Sequence, residues 1–247
     1  MTAVRTGYGP IINDTSGRAT TLRQIGGTGV AFWKQLAYGA HLEGAWNTVE
    51  HVTLTAGASI GEHLHDRTEE IYYIVAGQAT MRMNGVDFPV GAGDLITTPI
   101  GARHAIENDS GEDMAFYVTE VFPGEGPPAR PRHLGLHHAM AEAPGYRDAP
   151  LPLRVAAVDL TEPFTGPWHR FARIEVPPGA RTGDYALDQC TEVVFVVSGQ
   201  AAVVVEGQTF TGGAGFCAAF PAGAERRVEN ISARRPLCLI STEVRVP

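Results

Sequence analysis

The sequence predicts an all-β protein built from two small antiparallel barrels in tandem. Three observations point there: a repeat at one constant offset, two-residue hydrophobic alternation inside short segments, and turn residues every 8 to 12 positions. Gly57, Glu70, Gly77, Gly93, Pro99, Gly101 and Asn108 recur as Gly179, Glu192, Gly199, Gly215, Pro221, Gly223 and Asn230, each 122 residues later. Gly77-Gln78-Ala79 likewise returns as Gly199-Gln200-Ala201, and Phe88 as Phe210. An unbroken register over 52 positions requires one module present twice.

The segments 71–76 and 193–197 are short, β-branched or aromatic, and close on glycine, as strands entering tight turns do. Ala79, Met81 and Met83 alternate with polar neighbours, and Ala201, Val203 and Val205 hold the same places in the copy, so these strands belong to sheets packed on one face. Ahead of the repeat, 29–36 and 47–54 read as strands that extend the first sheet. Between the copies, 123–153 is rich in proline and reads as a connector, with one short helix over 134–143. The expected domains are therefore 1–122, an N-terminal barrel with an extension; 123–153, the connector; and 154–247, a C-terminal barrel.

Composition narrows the function. Of 247 residues, 44% are hydrophobic and 19% charged, with 29 glycines and 17 prolines, which fits a turn-rich globular protein and excludes a disordered chain. Nineteen Lys and Arg against 27 Asp and Glu give a net charge of −8, which disfavours nucleic acid and anionic membrane as partners and favours a small molecule. No apolar run approaches the ~20 residues that span a bilayer. Cys190, Cys217 and Cys238 are an odd number without close spacing, and the N-terminal MTAVRTGYGP carries no basic segment followed by an apolar stretch. Together these point to a reducing cytoplasmic compartment. No helix-turn-helix extension is recognisable.

The chemistry lies in the first copy. Gly57, five residues, His63-x-His65, four residues, Glu70, six residues and Gly77 are followed, after 15 residues, by Gly93, five residues, Pro99-x-Gly101, two residues, His104, three residues and Asn108. His63 and His65, two apart on a strand, face the same way, which a barrel turns inward. Glu70 opens the next strand and His104 follows the Pro99-Ile100-Gly101 turn, so neighbouring strands suffice to gather four ligands. Three imidazoles and a carboxylate suit a borderline divalent ion: iron first, then nickel, manganese, cobalt, copper or zinc. Glu70 rather than Glu69 is the expected ligand, because Glu70 aligns with the retained Glu192 while Glu69 aligns with Thr191 and reads as a solvated edge charge.

These spacings resemble the two signature motifs of the cupin superfamily at ten positions, so the chain resembles a bicupin of two jelly-roll-like double-stranded β-helix barrels. The second copy has Tyr185, Leu187, Glu192 and Arg226 in place of His63, His65, Glu70 and His104. Leucine and arginine do not ligate cations, so the second barrel is expected to hold no metal and to pair Arg226 with Glu192 near Tyr185. That departs from bicupins such as oxalate decarboxylases, which keep ligands in both halves. The resemblance implies a metal-dependent enzyme, foremost a dioxygenase-like oxidoreductase that binds an enediol, phenol or thiol at one mononuclear centre and takes dioxygen. A non-redox isomerase, cyclase or hydrolase is the second reading, and a metal- or ligand-binding protein without turnover the third.

Glu70 and Tyr72 are the expected catalytic groups, with Tyr72, Ile74, Met81 and Met83 as pocket wall. Arg67 and Arg103 flank the ligands and read first as surface residues, second as anchors for a substrate carboxylate at the barrel mouth. His133, His137 and His138 sit in a proline-flanked connector and read first as a solvated or interface loop, second as a further metal site. The internal repeat makes the chain a pseudo-dimer, expected as a monomer or a homodimer.

Overall fold

A computed structural model describes residues 8–17, 19–22, 25–127 and 129–247, so the leader reading at 1–7 lies outside the described residues. The first half contains β1 (Ile11–Asn13), β2 (Thr20–Leu22), β3 (Ala31–Tyr38), β4 (Trp46–Leu54), β5 (Ser59–Leu64), β6 (Glu69–Ala76), β7 (Gln78–Met83), β8 (Val86–Gly91), β9 (Asp94–Thr98), β10 (Arg103–Glu107) and β11 (Met114–Val121). The second contains β12 (Arg132–Gly135), β13 (Ala141–Ala143), β14 (Leu153–Asp159), β15 (Trp168–Val176), β16 (Cys190–Ser198), β17 (Ala201–Val205), β18 (Gln208–Gly212), β19 (Cys217–Phe220), β20 (Arg226–Asn230) and β21 (Leu237–Arg245). The molecule is all-β, as predicted. No helix among the described residues is long and apolar enough to cross a membrane.

Each half pairs a large sheet with a small one. In the first, β12-β9-β6-β11-β4-β3-β2 faces β5-β10-β7-β8; in the second, β1-β19-β16-β21-β15-β14-β13 faces β18-β17-β20. The 122-residue offset carries strand onto strand, β4 onto β15 and β6 onto β16, and beyond the motifs it carries β1 onto β12. Those two leading strands are exchanged: β1 pairs with β19 of the second half, and β12 with β9 of the first. The expected helix over 134–143 is absent. Strand β12, a 3-10 turn at Leu136–His138 and strand β13 take its place, because pairing with β9 and β14 satisfies backbone groups that a short helix would leave open at both ends.

Three apolar clusters follow from this layering. One fills the first barrel between its sheets and includes Tyr72, Ile74, Met81 and Phe116; another fills the second and includes Val194, Val203 and Phe220. A third lies between the two large sheets, where Trp46, Ile71, Tyr73 and Tyr117 meet Trp168, Phe171, Phe195 and Ile240. Large-sheet strands such as β6 are consequently buried on both faces, which is why 71–76 is a continuous apolar run, whereas β7 alternates. Gly77 and Gly199 close the turns after β6 and β16 at φ +81° and +98°, where a Cβ would strike Met114 or Leu237. Asn108 and Asn230 tie strand ends together, their amides donating to the carbonyls of Leu54 and Glu112 and of Val176 and Arg235.

Glu69 corrects the sequence reading. It is fully buried, not solvated, because its side chain leaves β6 on the face that the second barrel covers. Its Oε1 accepts from the backbone N–H and hydroxyl of Thr165, and its Oε2 from the N–H of Gly166 and from Trp168 Nε1, all at 2.8 to 3.0 Å. One carboxylate thus staples the two halves. Glu69→Ala should strand four donors and lower stability by about 3 kcal/mol or more, read as the urea midpoint; a midpoint equal to wild type would show the staple to be dispensable.

Candidate metal centre

His63 leaves β5 on its inner face, His65 follows directly after the strand's end, and β10, paired beside β5, brings His104 opposite His63 in register. Glu70 enters from β6 of the facing sheet. His63 Nε2 lies 3.0 Å from His104 Nε2, which lies 3.0 Å from His65 Nε2. Glu70 Oε2 stands 3.2 Å from His104 Nε2 and 3.4 Å from His65 Nε2. Donor atoms about 2.1 Å from one ion are separated by about 3.0 Å at right angles and about 3.4 Å in a tetrahedron, so these spacings fit a shared cation.

The outer nitrogens explain the orientation. His63 Nδ1 lies 3.0 Å from the carbonyl of Gly61 and His65 Nδ1 3.1 Å from that of Thr68, each placed to donate; His104 Nδ1 meets the Thr98 hydroxyl at 3.2 Å. Protons held on the outer nitrogens leave the Nε2 lone pairs converging on one point, which repels unless a cation sits there. Glu70 Oε2 is buried with no hydrogen-bond partner among the described residues. Burial pushes His65 down to about 4 and, with His65 and His63 beside it, holds His104 well below the usual histidine range, so both imidazoles are neutral as ligation requires. Burial, then Glu120 and Glu50, raise Glu70 well above the usual carboxylate range, the direction that a bound cation reverses. The residues present therefore fit a divalent ion.

A cavity of about 80 Å³ adjoins the cluster, lined by Ile25, Trp33, Glu50, Val52, Ile60, His63, Glu70, Tyr72, Val118 and Glu120. Tyr72 lies with its ring centroid 5.0 Å from that of His104. Burial first, then Glu70, Glu120 and Glu50, push its phenol well up, so it stays protonated. Ile74 and Met81 do not line this cavity; they are fully buried in the barrel core, and Met83 lines a separate groove with Phe88 and Arg130. Two lining acids, Glu50 and Glu120, escaped the sequence reading. Their signal was parity, since each is a charge on the barrel-facing register of a strand, in line with apolar inward residues: Val52 and Leu54 on β4, and Phe116 and Val118 on β11. Burial lifts Glu50 to about 6. Arg67 and Arg103 are exposed and line none of the cavities described, and His133 pairs with Asp94 at 3.0 Å and stacks on Phe88.

In the second barrel the predicted Arg226 to Glu192 pair is present, with Arg226 Nη2 2.6 Å from Glu192 Oε2 and Tyr185 donating to the same oxygen at 2.9 Å. Nothing in the local pattern signals Arg147, which reaches in from the connector to Glu192 Oε1 at 3.0 Å and also bonds Glu243. Ser241 donates to Glu192 Oε1 at 2.6 Å. Burial alone would raise Glu192, but Arg147 and Arg226 hold it at about 2. His169, Cys190 and Glu243 also bring ligand atoms within 4.8 Å of one another, yet the Arg147 guanidinium already occupies Glu243.

With fold and site described, the class is plain: a tandem barrel with a histidine-rich centre in one half. A Cupin domain profile matches residues 50–120 and 172–243, more than half of the chain, and the chain belongs to the cupin family. An oxalate-binding protein of Thermotoga maritima is 40% identical over 68 residues, 28% of this chain and 56% of that protein, so the chain spans about half the length of the curated relatives it matches. The YlbA protein of E. coli superposes with a TM-score of 0.74 at 13% identity, over 98% of this chain and 94% of that one. A mutant form of the oxalate decarboxylase of Bacillus subtilis gives 0.70 at 20%, over 98% and 78%.

Elemental analysis should find one transition-metal ion per chain, lost in a His63→Ala/His65→Ala double variant. Two ions per chain, or undiminished metal in that variant, would contradict the assignment. In the second barrel, Arg226→Ala should cost about 3 kcal/mol, seen as a lower melting temperature with turnover per folded molecule largely kept, and Tyr185→Ala should follow the same pattern. Because Glu192 is depressed from 4.5 to about 2, its contribution to stability is full above about pH 4.5 and fades as pH falls toward 2, and Arg226→Ala should flatten that acid limb of the stability curve.

Proposed function

We propose that the chain is a metal-dependent enzyme that binds one divalent transition-metal ion on His63, His65, Glu70 and His104 and acts on a small organic molecule in the first barrel, foremost as a dioxygenase. The observation that carries this is the convergence of three lone-pair nitrogens on a buried, unpartnered carboxylate oxygen. Iron leads among the metals; the similar-fold oxalate decarboxylase is described with Mn(II) centres, which supports manganese beside it. Bound there, a redox-active ion would supply Lewis acidity and electrons for dioxygen.

The chain's own residues do the rest. The carbonyls of Gly61 and Thr68 hold His63 and His65 in the ligating tautomer, and the Thr98 hydroxyl accepts from His104 Nδ1 when that ring does the same. Val52, Ile60 and Val118 give the cavity an apolar wall that limits water. Tyr72 offers a protonated phenol beside the centre, and Glu70 pairs ligation with proton acceptance. The cavity is modest, about 80 Å³, so the substrate that enters it is small. Glu50 and Glu120 favour a second reading, non-redox isomerisation, cyclisation or hydrolysis, since each is placed to take a proton within the same cavity.

Oxygen uptake distinguishes these readings. The protein loaded with iron, nickel, manganese, cobalt or copper should consume dioxygen only when an organic substrate is present, tested first with small thiols and enediols. Tyr72→Phe should lower kcat about tenfold or more while metal content stays near one per chain. Equal turnover with zinc under anaerobic conditions would reverse the order of the two readings, and no turnover with any substrate would leave a binding protein, in line with the name of the Thermotoga relative.

A further inference from the structure

The two barrels answer the same electrostatic problem at the same place. In the second, the buried Glu192 receives a guanidinium from Arg147, which stands in a loop at φ +53° and packs over Gly183, so closely that a Cβ there would lie 2.3 Å from the Asp148 carbonyl. The residue 122 positions earlier is Ile25, at φ +43°, in a loop that packs over Gly61 with its carbonyl 2.4 Å from where a Cβ would be. Ile25 lines the cavity beside Glu70. At this position both backbones take a positive φ and pack over a glycine, and the charge that Arg147 carries is absent from Ile25.

That cavity nonetheless holds three carboxylates, Glu50, Glu70 and Glu120, and among the described residues neither lysine nor arginine lines it. The chain fixes two of them as acceptors: Trp33 Nε1 and the Thr48 hydroxyl donate to Glu50 at 2.5 and 2.8 Å, and Asn47 and Thr68 donate to Glu120 Oε2 at 2.5 and 3.1 Å. Glu70, 3% exposed, leaves its Oε2 without a hydrogen-bond partner among the described residues. A divalent ion on the histidines offsets two of the three negative charges.

We propose that the substrate supplies the missing cation: the cavity takes a small molecule bearing an ammonium or amidinium group, which hydrogen-bonds Glu50 and Glu120 where Arg147 serves Glu192 in the second barrel, and it rejects dicarboxylates. This rests on the reading of the first barrel as a metal-dependent substrate site. It also separates this chain from the oxalate-binding relative, because no cationic side chain among the described residues lines the cavity to receive a second carboxylate.

Calorimetric titration of the Mn(II)-loaded full chain with 2-aminoethanol and with oxalate tests it without any turnover. Aminoethanol should bind more tightly than oxalate, and Glu50→Gln and Glu120→Gln should each weaken aminoethanol about tenfold, or about 1.4 kcal/mol, while leaving one Mn per chain. Tighter binding of oxalate, no binding of either, or an unchanged amine affinity in both variants would overturn the inference. Wild-type protein that retains no Mn would overturn the metal-site reading beneath it as well, so metal content measured on the same samples tells the two failures apart.

Discussion

Glu70 and Glu192 sit at equivalent points, 122 residues apart, each at most 3% exposed inside an apolar barrel. Moving an isolated carboxylate into such a medium costs several kcal/mol unless a cation faces it. Much of the interior follows from that demand. In the second barrel two guanidinium groups, Arg147 and Arg226, lie over the Tyr185 ring, each 4.8 Å from its centroid, and neutralise Glu192. In the first, three imidazoles converge on Glu70 instead, and the compensating charge that we propose is a bound divalent ion. Duplication produced two copies of one problem, and the copies diverged in where the positive charge originates.

The pseudo-dimer supports both solutions. The outer faces of the two large sheets bury each other, which makes β6 and β16 doubly buried and rigid platforms for Glu70 and Glu192. Exchange of β1 and β12 ties the halves by backbone pairing, and Glu69 adds a buried carboxylate bonded wholly to the other half. Successive residues thus serve opposite faces of one strand: Glu69 holds the barrels together and Glu70 faces the histidines.

Much of this was legible in the sequence. The repeat, the all-β class and the quartet of His63, His65, Glu70 and His104 could be read there because they depend on local spacing: parity fixes which side chains share a strand face, and turn glycines fix where strands end. The loss of ligands at Leu187 and Arg226 was equally visible, as was the ion pair that replaced them.

What required the tertiary structure is what depends on contacts between distant segments. Glu69 reads as an edge charge until the second barrel covers its face, since burial by another module leaves no mark on local periodicity. The segment 134–143 lost its expected helix to strand pairing, β12 with β9 of the other half and β13 with β14 of its own. Arg147 joins Glu192 only because the connector folds back over the barrel, and Glu50 and Glu120 become a cavity wall only once β4 and β11 lie beside β6. Spacing along the chain determines which residues can face one another, whereas the packing of sheet on sheet decides which charges are left to be answered.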